Sequence, residues 1–111
     1  MAYDTDLAAR VRDELAHEES LTERRMFGGL AFLIHGRMAV TARSGGGLMV
    51  RVDPATAPDL VATTPAEYVE MRGGTMKGWL HVDAADVDSV EQLSAWVTRA
   101  VSYVATLEPK T

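Results

Sequence analysis

The sequence predicts a small α+β domain in which helices at the two ends of the chain pack on a mostly antiparallel sheet. Apolar residues recur at helical spacing near both ends, while short runs of alternating apolar and polar residues, separated by glycine-containing turns, fill the middle. A chain of 111 residues with 47% hydrophobic residues can form one core. We therefore expect a single domain over residues 1–111, with the order helix, three strands, helix, two strands, helix, and a five-stranded sheet.

The first helix begins at Asp4 or Thr5, because a short side-chain oxygen there can cap the free N–H groups of the first turn. Its apolar stripe consists of Leu7, Ala8, Val11 and Leu15. The pattern ends between residues 17 and 20, so we expect the helix to end there.

The first predicted strand covers Met26 to Ile34 and contains the pair Gly28-Gly29. Glycine inside a strand indicates a bulge or the close approach of another backbone, so we expect alanine to destabilise the fold at one or both of these positions. His35-Gly36 then forms a two-residue hairpin turn, in which the glycine supplies a positive φ.

Strands two and three alternate cleanly, and a turn over residues 44–47 connects them. In strand two (37–43), the predicted core face carries Met38, Val40 and Ala42, and the opposite face carries Arg37, Ala39, Thr41 and Arg43. In strand three (48–53), the core face carries Leu48, Val50 and Val52, and the opposite face carries Met49, Arg51 and Asp53. The three strands form a meander.

A short helix is predicted between Pro54 and Ala62, with Pro58 in its first turn because proline deeper in a helix breaks the hydrogen-bond ladder. A second hairpin follows, with strands over residues 67–72 and 75–83 and a turn at Gly73-Gly74.

The last helix is the longest predicted element, and we expect it to pack across the sheet. Asp88 and Glu91 have the spacing of a capping box at its start. Its predicted apolar stripe consists of Val90, Leu93, Val97, Ala100, Val104 and Leu107.

Composition excludes several classes of protein. The chain has no cysteine, which excludes disulfides, thiol catalysis and cysteine metal sites. It has neither a signal-peptide pattern nor an apolar run of about 20 residues, so we expect a soluble, cytoplasmic protein without membrane contact. A net charge of −5 opposes general attraction to nucleic acid. The charge is unevenly placed, however: residues 24–77 are net basic, while the segments before and after them are net acidic.

No motif in the sequence predicts a cofactor, a metal ion or a catalytic residue. The glycine runs lie in hairpin turns rather than before a helix with a Gly-Lys-Ser/Thr ending, which excludes a phosphate-binding loop. The three histidines (His17, His35 and His81) lack metal-ligand spacing. No serine lies in a nucleophile elbow, and no carboxylate pair lies in an apolar setting. We therefore expect a protein that is not an enzyme.

The best functional lead is the face of the sheet opposite the predicted core. Alternation places on it Arg37, Arg43 and Arg51, and strand five adds Lys77 and Trp79 if its odd-numbered residues share this face. Such a basic surface with an embedded tryptophan suits a protein interface or a nucleic-acid platform. Alternatively, Trp79 is a core residue beneath a helix.

Two short motifs relate the chain to a known family. The segment Arg25-Met26-Phe27-Gly28-Gly29 is followed by Phe32, Gly36 and Met38, and Met76-Lys77-Gly78-Trp79 comes about forty residues later. Together with the opening helix, the Leu48 to Val52 strand and the last helix with Trp96, they resemble the TfoX/Sxy N-terminal domain family over nearly the whole chain.

The resemblance implies a secretion-chaperone-like α/β fold and no catalytic residues. Full-length relatives are competence regulators that work with the catabolite activator CRP and carry a second, C-terminal domain. Since the chain ends at Thr111, we expect a stand-alone N-terminal domain.

Our leading hypothesis is a non-enzymatic regulatory or adaptor domain that contacts a protein partner, which could belong to the transcription machinery. The alternatives are a module that binds a small ligand or nucleic acid on the basic face and an enzyme of unrecognised type. Specific DNA binding by the protein alone is not expected, and the sequence fits a monomer or a homodimer.

Overall fold

Three α-helices and a six-stranded sheet make up the computed structural model, which describes residues 3–26, 28–71 and 73–107. The elements in chain order are α1 (Thr5–Glu14), β1 (Leu21–Met26), β2 (Gly29–Ile34), β3 (Arg37–Ala42), β4 (Leu48–Arg51), α2 (Ala57–Thr63), β5 (Glu67–Met71), β6 (Gly74–Val82) and α3 (Val90–Val104), with a short 3-10 helix (Ala84–Val87) before α3. The strand order in the sheet is β1-β2-β3-β4-β6-β5, and every neighbouring pair is antiparallel. The predicted α+β class is confirmed.

The first predicted strand, Met26 to Ile34, is wrong, because two strands occupy this region. Met26 pairs with Gly29, so β1 and β2 form a hairpin whose turn contains Gly28 at a φ of 79°. Phe27 lies outside the described residues. The sequence prediction missed β1 because it is an edge strand with residues 22–25 exposed, so it shows no alternation of apolar and polar residues. The sheet therefore has six strands instead of five.

The first helix has the predicted cap and apolar stripe. The Asp4 carboxylate accepts hydrogen bonds from the backbone N–H groups of Asp6 (3.0 Å) and Leu7 (3.1 Å). The four predicted stripe residues are all buried, namely Leu7, Ala8, Val11 and Leu15. The predicted start and inward face of α1 are confirmed.

Two arginines of α1 connect the helix to distant parts of the chain. Arg10 donates hydrogen bonds to the carbonyl oxygens of Val87 (2.8 Å) and Asp88 (3.0 Å), just before α3. Arg12 donates to Glu23 of β1 at 2.6 Å, and this hydrogen bond holds the pKa of Glu23 below its ordinary value. Both contacts tie α1 to neighbouring elements, although the exposed ion pair contributes little stability.

The predicted capping box at Asp88 and Glu91 is wrong by one residue. Ser89 caps α3, since its side chain accepts from the Gln92 N–H (3.0 Å) while the Gln92 side chain accepts from the Ser89 N–H (3.0 Å). Asp88 ends the 3-10 helix in a right-handed helical conformation, whereas an N-cap needs the extended backbone that Ser89 has.

The stripe of α3 is buried from Leu93 to Val104, and it departs from the prediction at its two ends and by including Trp96. Val90 lies in the first turn and is 68% exposed, and Leu107 follows the helix and is half-buried. The buried residues are Leu93, Trp96, Val97, Ala100 and Val104. They pack with α1 on one face of the sheet, which we call the helix-side face.

A β-bulge between β2 and β3 changes the predicted facing of three residues, Arg37, Met38 and Ala39. Phe32 pairs with Val40, but the next residue, Leu33, pairs with Met38, so Ala39 has no partner across the β2–β3 ladder. The extra residue reverses the alternation before it. Met38 therefore faces away from the helices, whereas Arg37 pairs with Ile34 of the helix-side core. Ala39, predicted on the face opposite the core, is fully buried in the helix-side core, so the predicted facing of all three residues is wrong.

The second half of the chain follows the prediction closely. Pro58 lies in the first turn of α2, and β5 and β6 form the expected hairpin around Gly73. Arg72, at the predicted end of the first of these strands, lies outside the described residues.

None of the helices in the described ranges combines the length and the apolar character that crossing a membrane requires.

Candidate functional site

The face of the sheet opposite α1 and α3, the helix-free face, has buried residues of its own. Ala31, Leu33, Thr41 and Met49 are all buried, with 7% exposure or less, yet none belongs to the cluster that packs against the helices. The ladder pairs Ala31 with Thr41 and Thr41 with Met49, so these side chains lie side by side across β2, β3 and β4. Their burial without a covering helix indicates that other parts of the sheet cover them.

A cavity of about 250 Å³ lies on this face. Its lining residues are Met26, Gly29, Met38, Thr41, Arg43, Ser44, Met49, Met76 and Trp79. Met26 belongs to β1 and Met76 to β6, which in a flat sheet would lie about 19 Å apart at the usual strand spacing. Because both residues line one small cavity, the sheet must curl around it, and the helix-free face is concave.

Methionine side chains form most of the apolar lining. Four of the six methionines in the sequence line the cavity, each from a different strand. The thioether of Met38 also accepts a hydrogen bond from the Thr41 hydroxyl at 3.2 Å. Methionine is flexible and polarisable, and surfaces rich in it adapt to apolar groups of different shape. The cavity can therefore accept an apolar occupant without demanding one fixed shape.

Arg43 is the one charged residue among the nine described residues that line the cavity. Its Nη1 lies 3.1 Å from Nδ1 of His81, and the opposite ring nitrogen, Nε2, lies 2.8 Å from the Asp83 carboxylate. Arginine can only donate, so in this arrangement Nδ1 accepts and Nε2 donates to Asp83. The His81–Asp83 pair thus holds the guanidinium of Arg43 at the edge of the cavity.

Trp79 lines the cavity and is half-buried, whereas Trp96 lies in the core on the helix side. The guanidinium carbon of Arg51 lies 5.3 Å from the centre of the Trp79 ring and 5.9 Å from that of Tyr103 in α3. Both distances are in the range of cation–π contacts. Trp79 is only half-buried and does not belong to the core that packs against the helices, so the alternative that it is a core residue beneath a helix is wrong.

The structure brings together three of the five predicted contact residues. Arg43 and Trp79 line the cavity, and Arg51 contacts Trp79. Lys77 is exposed on β6, next to the cavity residue Met76. Arg37 lies apart, because the bulge at Ala39 places it beside Ile34 and the end of α3, where it lines a different groove.

Sequence reasoning missed several cavity residues. Met26 was assigned to the wrong strand, Met38 to the wrong face, and Met76 and Gly29 to no site. A detectable signal was the position of Met26 and Met76, each within three residues of a glycine that forms a hairpin turn. Residues at the ends of neighbouring hairpins can meet when a sheet curls, but the sequence does not show the curl.

Across the described ranges, His, Asp and Glu residues form no group of three or more that could hold a metal ion.

Comparison with known proteins places the chain in a family. No curated protein matches its sequence. The family model described as the TfoX N-terminal domain matches residues 13–104, a range that runs from the end of α1 to the last residue of α3 and includes every strand. The resemblance of the two short motifs is thereby confirmed, and the chain belongs to the TfoX N-terminal domain family.

Proposed function

We propose that this chain is a non-enzymatic regulatory or adaptor domain that contacts an acidic protein partner through the helix-free face. The observation that carries the proposal is the methionine-lined cavity on this face, which we also call the hollow and whose lining includes Trp79 and Arg43. Methionine, tryptophan and arginine are enriched in protein interfaces, because they combine contact area with either flexibility or charge. The regulatory role of full-length TfoX relatives supports the same class of function.

Charge around the hollow favours an acidic partner. Arg24 pairs with Ala31, which lies on the helix-free face, and is exposed beside the hollow. The guanidinium of Arg51 lies 5.3 Å from the centre of the Trp79 ring, and Lys77 is exposed two residues before Trp79 on β6. The whole chain carries a net charge of −5, so basic side chains at this face can orient an acidic partner towards it.

The side chains at the hollow support binding rather than catalysis. Ser44 and Thr41 are the hydroxyl residues of the lining, and His81 is the nearby residue that could act as a base. Both ring nitrogens of His81 are engaged, one by Arg43 and the other by Asp83. A base for either hydroxyl would need a free, suitably placed nitrogen, so a nucleophile–base pair is not part of the proposal.

The test is affinity capture from a lysate of the native host, followed by mass spectrometry. The wild-type domain is expected to retain a protein that a Lys77→Glu/Trp79→Ala double variant loses. Arg99→Glu is the matched control, since Arg99 is exposed on α3 and lies over the core residue Trp96, away from the hollow. A partner that binds all three proteins equally would contradict the use of this face.

Nucleic-acid binding is the competing function, and salt dependence separates it from protein binding. Each phosphate contact releases a condensed counterion, so binding through a few arginines must weaken steeply with salt. We expect weak, non-specific binding of mixed-sequence duplex DNA at low salt and none at physiological salt, measured by fluorescence anisotropy. Sub-micromolar affinity at physiological salt, lost in an Arg43→Ala/Arg51→Ala double variant, would make the chain a nucleic-acid-binding module.

A further inference from the structure

We propose that the cavity on the helix-free face is a binding site for a small amphipathic carboxylate, a molecule with one apolar body and one anionic end. The cavity has two chemically distinct parts that match such a molecule. One part consists of thioether and indole side chains, and the other is the guanidinium of Arg43.

The apolar part suits a ring or a short alkyl chain. Met26, Met38, Met49 and Met76 come from four strands, and Trp79 adds an aromatic surface. Sulfur–aromatic contacts and removal of apolar area from water both favour an apolar occupant over water here. The hydroxyl of Thr41, the polar group among these side chains, already donates to the sulfur of Met38.

The charged part selects an anion. Among the nine described residues that line the cavity, Arg43 carries the one charge and none is acidic. Nη1 of Arg43 donates to His81, so the N–H groups of Nε and Nη2 are left to bind a ligand. These two parallel donors match the two oxygens of a carboxylate. Asp83 fixes the ring of His81 from the other side, so the fork is oriented before a ligand arrives.

The size of the cavity limits the ligand. A volume of 250 Å³ corresponds to about eight water molecules at the volume each has in the liquid. Pockets for drug-sized ligands measure about 300–1,000 Å³, so a nucleotide is too large and a molecule with a single ring fits. We therefore expect a ligand of about ten non-hydrogen atoms.

This site also gives the domain a way to respond to a metabolite. Trp79 and Arg43 belong both to the cavity and to the face that we propose for the protein partner. A ligand that engages Arg43 removes a positive charge from that face, and thereby changes its affinity for an acidic partner. This regulatory step rests on the proposed function, whereas ligand binding itself does not.

The experiment compares two probes of nearly the same shape on the isolated protein, 3-phenylpropionate and its neutral amide, 3-phenylpropanamide. The protein is labelled with ¹³C at the methionine methyl groups, and each probe is titrated by NMR. We expect 3-phenylpropionate to shift the methyl signals of the four cavity methionines and to bind at least about tenfold more tightly than the amide, as a charge-assisted contact predicts.

Three variants test which residues are responsible. Arg43→Gln is expected to abolish the preference for the acid, while Arg25→Gln is expected to keep it. Arg25 is exposed on β1 and pairs with Leu30 of the helix-side core. Arg25→Gln therefore removes the same charge as Arg43→Gln, but at a position away from the cavity. Met76→Trp, a change at a half-buried lining residue, is expected to fill the cavity and to prevent binding of both probes.

Two results would overturn the inference. Equal affinity for acid and amide would show that Arg43 does not select an anion, and unchanged cavity methyl signals would show that the cavity takes no such ligand. Neither result bears on the partner protein, because no partner is present in the titration. Conversely, a failed affinity capture leaves the probe titration unaffected, so the two proposals fail separately.

Discussion

Replacing Leu93 by alanine is expected to lower the free energy of unfolding by about 2–5 kcal/mol, the usual range for leucine-to-alanine substitutions in protein cores. Leu93 is 2% exposed and packs from α3 into the helix-side core. Domains of this size have a total stability of about 5–15 kcal/mol, so the loss is a large share of it. Thermal unfolding followed by circular dichroism should show a Tm lower by about 10 °C or more.

Val90→Ala is the matched control on the same helix. Val90 also belongs to the apolar pattern of the sequence, but the structure leaves it 68% exposed in the first turn of α3. Surface substitutions change stability by about 0.5 kcal/mol or less, so the Tm of this variant should be close to that of the wild type. Equal unfolding of Leu93→Ala and Val90→Ala would show that α3 does not anchor the core.

The helices were predictable because local signals specify them. In α1, the capping residue Asp4 and the four residues of the apolar stripe all lie within twelve consecutive residues. The cap of α3 was harder, since Asp88 and Ser89 are both good capping residues and both have a suitable partner three positions later. The preceding 3-10 helix decides between them through the backbone of Asp88, and short 3-10 helices leave little trace in sequence.

The strands were less predictable because their pairing depends on distant residues. Strand β1 is exposed along most of its length, so its sequence lacks the alternation that marks a half-buried strand. The bulge at Ala39 adds one residue to β3 with no change in composition that would reveal it. As a consequence, Arg37 was grouped with Arg43 and Arg51, and Met38 was placed in the core.

The candidate site was only half predictable for the same reason. Alternation alone placed Thr41, Arg43 and Met49 on one face, since they lie beyond the bulge or on β4. Met26 and Met76 join them only because the sheet curls, and curl is a property of the whole sheet. Residues brought together in this way are separated by fifty positions in the sequence, and no local pattern relates them.

Gly29→Ala is expected to destabilise the fold by about 3 kcal/mol, at the upper end of the usual cost of overpacking a core. A β-carbon on Gly29 would lie 2.5 Å from the backbone carbonyl oxygen of Ala42, closer than van der Waals contact allows. A backbone atom of β3 cannot move aside without disturbing the sheet. The expectation of a close backbone approach at this glycine pair is thus met at Gly29.

Its neighbour Gly28 makes a different demand. Gly28 lies in the β1–β2 turn with a φ of 79°, where a residue with a β-carbon is strained. Alanine in the left-handed region costs about 1–2 kcal/mol, so Gly28→Ala should be milder than Gly29→Ala. Chemical denaturation with urea gives both values, provided that the dependence of stability on urea concentration is unchanged.

Gly78→Ala provides the control within the same sheet. A β-carbon there would lie 3.5 Å from its nearest neighbours, Pro54 and Val52, which is ordinary contact. Alanine also reduces the freedom of the unfolded chain, so this variant should be as stable as the wild type or more stable by up to about 1 kcal/mol. If Gly29→Ala proved as stable as Gly78→Ala, the prediction would be wrong, and β2 and β3 would be packed less closely at Gly29 than the 2.5 Å approach to Ala42 implies.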